Sequence, residues 1–421
     1  MSAFIVKGLL RDRSRSLFPL LTVAIGVSLT VLLDAYLRGA REGIFDSTAR
    51  LVCGHVVVTT RARTQQGATE SNELALLGVR DLKESLQTAY PNVIWAERIR
   101  FGGLLDVPDS TGQTRAQVPI TGLAGDLSPS GPERRLLRLD RALASGRLPE
   151  KPDEVLLSAD LASHLGVAPG DRLTLLSSTM NGSMAVADFR LSGTVRFGVT
   201  AMDRGMVLAD IAGVRLALDM EDAADEIVGL FSSGGYDDAR AVREAGLFNA
   251  RQPDNDFAPR MQALRDASGL GSMIDLISSA SALIVAILVI AMSVVLWNAG
   301  LMGSLRRYGE IGIRLAIGES RGAVYRSLLA EAFVIGLVGS ALGTAVGLGF
   351  SLYLQEVGIN IGSMMKNATM VMDDVIRARV APAGFLIGFL PGLLATFIGA
   401  AISGLGVYKR QTAQLAKEFS G

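Results

Sequence analysis

Glu310-Ile-Gly-Ile-Arg-Leu-Ala-Ile-Gly318 is a short amphipathic stretch set between two long apolar runs. At helical spacing Ile311, Leu315 and Gly318 share one face, while Arg307, Glu310, Arg314 and Arg321 lie largely on the other. A helix of this kind rests along a membrane surface and turns its charged side to water. Arg314 follows Glu310 by four residues, a spacing at which the pair contributes roughly 0.3 kcal/mol. The residues alone fit two readings: a surface-lying helix offered to a cytoplasmic partner, or a solvated basic connector.

Moving outward, four apolar runs reach the length of about 20 residues needed to cross a bilayer. They are 17–37, 276–301, 328–354 and 384–407. A mean hydropathy of +0.36 with 19% charged residues agrees with this, implying a few spans and a sizeable soluble domain. Basic residues flank the runs: Lys7, Arg11, Arg13 and Arg15 before the first, Arg306 and Arg307 after the second, Lys409 and Arg410 after the fourth. The positive-inside tendency therefore places the N-terminus, the 303–327 loop and the tail in the cytoplasm. A basic head before an apolar run also describes a signal peptide. Here the run is long and no small-x-small cleavage pattern follows it at Tyr36-Leu-Arg38, so an uncleaved span is expected.

The 39–272 region then lies outside the cytoplasm. It alternates short apolar runs with turn signals, as in His55-Val-Val-Val-Thr59, Glu154-Val-Leu-Leu157, Arg172-Leu-Thr-Leu-Leu176, Phe189-Arg-Leu-Ser-Gly-Thr-Val195 and Met206-Val-Leu-Ala209. Period-two alternation with β-branched residues predicts strands. Ser158 is placed to cap a short helix through Leu165, ended by Gly166 and followed by a turn at Pro169-Gly170-Asp171. The domain is expected to be α+β. Its two ends look helical: Tyr36, Ala40 and Ile44 repeat at four-residue spacing, and Phe257, Met261, Leu264 and Ala267 at near-helical spacing, which predicts a paired stalk or two ordinary surface helices.

No spacing links the serines, acids and histidines of this domain into a catalytic set. A net charge of zero gives no support to nucleic-acid binding. The single cysteine, Cys53, excludes an intrachain disulfide and is expected to be a small buried thiol. His55 and His164 are too far apart in sequence to suggest a metal site. The chain has no G-x-x-x-x-G-K-[ST] phosphate loop, so any ATP-driven role needs a separate ATPase.

The third run carries Gly339, Gly343 and Gly347 at four-residue spacing, with Gly336 nearby. Such strips let membrane helices approach closely. Glu331, at the start of this run, is expected near the inner interface, with Arg321 or Arg326 as a partner.

One span, a large outer domain and three further spans make a pattern that resembles a family. Glu310 to Gly318, Leu329-Ala-Glu-Ala332 and Val338-Gly-Ser-Ala-Leu-Gly343 look like the FtsX-type permease domain of MacB-like ABC transporters. The segment Asp153-Glu-Val-Leu-Leu-Ser-Ala-Asp-Leu-Ala-Ser-His-Leu-Gly-Val-Ala-Pro-Gly-Asp171 is similar to the periplasmic domain of that superfamily, the lipoprotein-releasing LolC and LolE subunits included. Gly309 and Glu319 depart from the usual residues and the tail lacks the common Pro-containing ending, so the resemblance is to the superfamily rather than to one subgroup.

The resemblance implies a membrane α-helical fold with four transmembrane helices and a large α+β periplasmic domain inserted between the first two. Its divisions would be 1–38, 39–272, an FtsX-type domain at 273–408 with a coupling helix at about 305–320, and a cytoplasmic tail at 409–421. It implies an inner-membrane permease subunit, not an enzyme, that binds no cofactor itself; ATP and Mg would sit on two copies of a cytoplasmic ABC ATPase. The coupling residues would be Arg307, Glu310, Ile311, Arg314, Leu315 and Gly318. Gly336, Gly339, Gly343 and Gly347 would face a second permease subunit, of the same or another kind, or neighbouring spans. A periplasmic adaptor or carrier protein completes the implied partners, beside the lipid bilayer and without nucleic acid. The cargo would be a lipoprotein, a drug or a peptide. An FtsX-like regulator of a cell-wall hydrolase is the alternative, and the large outer domain argues against it. A membrane-anchored receptor or enzyme without an ATPase is a third class, and the inner-loop motif argues against that.

Overall fold

Four long helices carry the apolar runs: Arg13–Thr48, Gly271–Leu305, Arg321–Val357 and Gly384–Gly404. Each is long and apolar enough to cross a membrane. The computed structural model describes residues 13–66, 72–109, 111–197, 200–203, 205–232, 235–267, 271–305, 308–360 and 375–405. The chain divides into two units, one of Met1–Arg41, Ile277–Asn360 and Val375–Gly421, the other of Glu42–Leu276 and Ile361–Asp374.

In the helical unit, glycine governs the packing. Val23, Val27 and Val31 of the first helix are buried together with Leu296 and Ala395. Gly339, Gly343 and Gly347 lie against that row: Cβ atoms added to them would fall 2.9 Å from Val23 Cβ, 2.5 Å from the Ala24 carbonyl and 2.8 Å from the Ser28 carbonyl. Gly336 meets Thr396 and Leu393 of the fourth helix. The fourth helix has a second strip, with Gly384, Gly388, Gly392 and Gly399 all buried. Close backbone approach of this kind is how helices gain contact where lipid offers no hydrophobic drive.

A second contact pins the first helix further along its length. Asp34 is buried and accepts from Arg38 Nε at 2.9 Å. The Arg379 N–H donates to the Ala35 carbonyl at 2.8 Å. A Cβ on Gly39 would lie 1.8 Å from the Arg377 carbonyl oxygen, so the backbone approach at this point admits only glycine.

The other unit is built on strands, in chain order β1 (Val56–Thr60), β2 (Leu76–Leu77), β3 (Val93–Pro108), β4 (Thr114–Gly125), β5 (Leu143–Gly146), β6 (Glu154–Ser158), β7 (Arg172–Ser178), β8 (Met184–Val195), β9 (Met206–Asp210), β10 (Ala223–Ala224), β11 (Glu226–Phe231) and β12 (Pro259–Ala263). Ten of them form one sheet in the order β12-β1-β11-β3-β4-β9-β6-β8-β5, with β7 pairing both β3 and β8. The pairings β3–β4, β4–β9, β9–β6, β6–β8, β8–β7 and β7–β3 close a ring of six strands. Alternate residues fill one face: Phe101, Leu105, Ile120, Leu173, Leu175, Phe189 and Leu191 are buried in one core. Phe101 stands directly over Gly122, its register partner, where a Cβ would fall 2.1 Å from the ring. Leu123, Leu137, Leu139, Leu156 and Leu208 form a second buried cluster, with Leu137 and Leu139 supplied by the segment of short helices Pro132–Leu136 and Leu139–Ala142.

Two expectations are corrected here. The 257–267 segment is not helical: it contains β12, which pairs with β1, and its buried residues alternate as Met261 and Ala263. The helix after it begins only at Gly271, so the helical continuation holds for the first helix, to Thr48, and not before the second. The short helix Ala159–Leu165 ends at left-handed Gly166, but the Ser158 hydroxyl makes no capping bond and is buried with no hydrogen-bond partner.

Glu154, at the start of β6, has a side chain only 4% exposed. Its Oε2 accepts from Arg147 Nη1 at 2.8 Å and from the Glu150 N–H at 2.9 Å. Arg147 chiefly, helped by backbone N–H groups and opposed by burial, holds its carboxyl at about 2. The folded value lies below the ordinary 4.5. This stability is therefore present above that pH and is lost as pH falls toward 2. Glu154→Gln is expected to flatten that acid loss, read from the strand circular dichroism of the full chain in detergent between pH 4.5 and 2. Parallel acid curves for variant and wild type would refute the assignment.

Candidate functional site

The helix Tyr308–Ala316 follows the second long helix and precedes the third. Arg307 lies outside the described residues, and Glu310 is described only as helical backbone. Gly318 ends the element with φ +97°, a left-handed conformation that glycine adopts without strain. The Ile317 N–H returns to the Ile313 carbonyl at 3.0 Å and the Glu319 N–H to the Arg314 carbonyl at 3.0 Å. Ser320 then caps the third long helix, its hydroxyl accepting from the Ala323 N–H.

The apolar residues of this helix divide between two sides. Ile311 is 3% exposed and packs on Val324, with Leu315 and Leu328 against the same cluster. These contacts anchor the short helix to the first turns of the third long helix. Ile313 and Ile317 are 59% and 79% exposed. Of the expected coupling residues, Ile311 and Leu315 are thus turned inward, and the exposed apolar positions are Ile313 and Ile317. A single amphipathic face hid them, although their spacing of four is itself a helical signal. Arg314 is exposed, with Nη1 3.4 Å from the Ser327 hydroxyl. The result is a short helix braced from within, with one bare isoleucine, Ile313, beside Arg314 and a second, Ile317, in the turn that follows. Such a surface suits a protein groove better than water.

Gly336, Gly339, Gly343 and Gly347 meet the first and fourth helices of the same chain, as given above. Glu331 is half-buried in the third helix, and Arg326 Nε donates to the Gly322 carbonyl at 3.3 Å. Among the described residues no group of three or more His, Cys, Asp or Glu side chains is placed to hold a metal.

Comparison with known proteins gives matches over most of the chain. Residues 16–244 match the MacB-like periplasmic core domain, and residues 282–412 match the FtsX-like permease C-terminal domain. The macrolide export ATP-binding/permease protein MacB of Chromobacterium violaceum is 32% identical over 114 residues, 26% of this chain and 17% of that protein. The protein of the same description from Bdellovibrio bacteriovorus is 35% identical over 102 residues, 24% of this chain and 15% of that protein. These matches span about a sixth of the relatives' length. The periplasmic region of MacB from Actinobacillus actinomycetemcomitans aligns with a TM-score of 0.35 at 11% identity, covering 52% of this chain and 92% of that one.

Proposed function

The chain belongs to the MacB-like family of ABC permeases with an FtsX-like C-terminal domain, and we infer that it transmits the work of a separate ATPase to its outer domain. It is a multi-pass membrane protein and a permease component. In this reading the N-terminus, the Tyr308–Ala316 helix and the tail are cytoplasmic, and the strand-built unit lies in the periplasm. Two copies of a cytoplasmic ABC ATPase bind ATP and Mg and receive the short helix in a surface groove. Two permease subunits work together, and the cargo, of the lipoprotein or the drug and peptide class, is handled outside the membrane.

The observation that supports this best is the division of the short helix. Ile313 and Ile317 stand free for a partner, while Ile311 and Leu315 tie the same helix to the third span. A push on the exposed side therefore reaches a membrane helix directly. The relatives whose printed names join ATP-binding and permease in one protein agree with an ATPase partner here.

Affinity purification of the tagged full chain from its own membranes tests the reading. An ABC ATPase is expected to co-purify in equal amount, and Ile317→Glu is expected to lower its recovery about tenfold, or ~1.4 kcal/mol. A full-length, folded chain recovered without any ATPase would overturn the proposal.

A further inference from the structure

The first long helix, Arg13–Thr48, does not simply stop. It passes into a π-helical turn, Ala49–Cys53, and then into β1 through Gly54 at φ +74°. Helix ends leave carbonyls without partners, and π-helical turns are rare overall and, where they occur, frequent at functional sites. Here two arginines of β3 take up those carbonyls. Arg98 Nη2 donates to the Arg50 carbonyl at 2.7 Å and Arg98 Nη1 to the Val52 carbonyl at 3.3 Å. Arg100 Nη2 also donates to the Val52 carbonyl.

Each guanidinium is held from behind by an acid. Arg98 Nε donates to Glu133 Oε1 at 2.9 Å, and both side chains are almost wholly buried. Arg100 Nε donates to Glu226 Oε1 at 3.0 Å. The Arg100 N–H donates to Asp225 Oδ2 at 2.7 Å, and Asp225 in turn pairs with Arg63 at 2.7 Å. The helix end is thereby bonded to β3, to β11 through Glu226, to Asp225 just before β11, and to the helix Pro132–Leu136 through Glu133. A buried ionic network is a costly way to stabilise a fold, since apolar residues of the same volume often do as well. What it supplies is direction: a planar fork fixes the helix end and the strand that carries it at a set angle where an apolar contact would let them slide.

We propose that Arg98 and Arg100 form a rigid joint that carries movement of the first helix into the strand-built domain. They are positioning residues, acting through the Arg50 and Val52 carbonyls. The proposal rests on the transmission reading above and adds the place where force passes from helix to sheet. It treats Ala49–Cys53 as a fixed weld rather than a hinge, despite its irregular backbone.

The test uses the full chain in complex with its co-purified ATPase, and reads amide hydrogen exchange in β1 and β3 with and without ATP plus vanadate. Arg100→Leu removes one of the two side-chain bonds to the Val52 carbonyl, together with the tie to Glu226. Arg215→Leu is the control, removing an arginine that instead bonds Glu97 at 2.6 Å and the Ala223 carbonyl at 3.0 Å on the same domain. ATP turnover is expected to persist in both variants. The nucleotide-driven change in exchange is expected to fall about fivefold or more in Arg100→Leu and to remain in Arg215→Leu. Should Arg100→Leu fail to fold, Arg100→Lys is read the same way, because an ammonium keeps the charge opposite Glu226 but loses the fork. A full nucleotide response in the folded Arg100 variant would overturn the joint while leaving transmission standing. A wild-type complex with no response in β1 or β3 would overturn the transmission reading, and the joint with it.

Discussion

Gly343→Leu is expected to leave little folded protein in the membrane fraction. The third helix meets the first along Gly339, Gly343 and Gly347, and an added Cβ at 343 falls 2.5 Å from the Ala24 carbonyl and 2.9 Å from Val27 Cβ. One of these is backbone, so the clash cannot be relieved by a rotamer change. The helices must part, taking the Val23, Val27 and Val31 contacts with them. Overpacking of this kind costs roughly 3 kcal/mol or more, a large share of a typical stability margin. Gly349→Leu is the matched control, since nothing lies within 4 Å of a Cβ there. The comparison is the yield and thermal aggregation temperature of detergent-extracted chain. Equal behaviour of the two variants would contradict the packing. Because this strip faces the chain's own first helix, the defect is expected in the single chain, not only in its assembly.

Arg98→Met is expected to be the most damaging single change in the strand-built unit. It leaves the Glu133 carboxylate buried without its partner, and Glu133 Oε2 already has no hydrogen bond. Burial raises the Glu133 pKa and the Arg98 charge opposes that rise, so removing Arg98 pushes the same way as burial. Breaking one side of a buried pair costs roughly 3–5 kcal/mol. In a domain of this size that corresponds to a fall of about 10 °C in melting temperature. The Arg50 carbonyl loses its arginine donor as well, and the Val52 carbonyl loses one of its two, keeping Arg100. Adding Glu133→Leu to Arg98→Met is expected to return part of the loss, because the stranded charge is gone. Protease resistance of the unit against temperature in the full chain measures both variants. A single variant as stable as wild type, or a double variant no better than the single, would refute the account.

The parts legible in the sequence are those set by local rules. Length and apolarity located four long helices, and alternation located β1, β6, β7, β8 and β9. Gly166 and Gly318 each ended a helix where glycine was read to end one, or to close its face. What escaped depends on distant partners. Phe257, Met261 and Leu264 have near-helical spacing, yet pairing with β1 makes Pro259–Ala263 a strand. The ring of six strands needs β4 beside β9 and β3 beside β7, pairings between residues far apart in the chain that no local pattern encodes. Nothing in the local sequence marks Arg98 and Arg100, whose role depends on the fold bringing Glu133, Glu226 and the helix end to them. In the short helix, one apolar face was legible, but which isoleucines stay exposed is decided by packing on Val324.

The central claim is that the Tyr308–Ala316 helix is where an ATPase pushes on this permease. A photo-crosslinking amino acid placed at Ile317, in the full chain expressed in its own membranes, tests this residue by residue. The account predicts a crosslinked adduct to an ABC ATPase from position 317 and none from Leu342, which is exposed midway along the third helix. An ATPase adduct absent at 317 in a chain that is inserted and folded would contradict it.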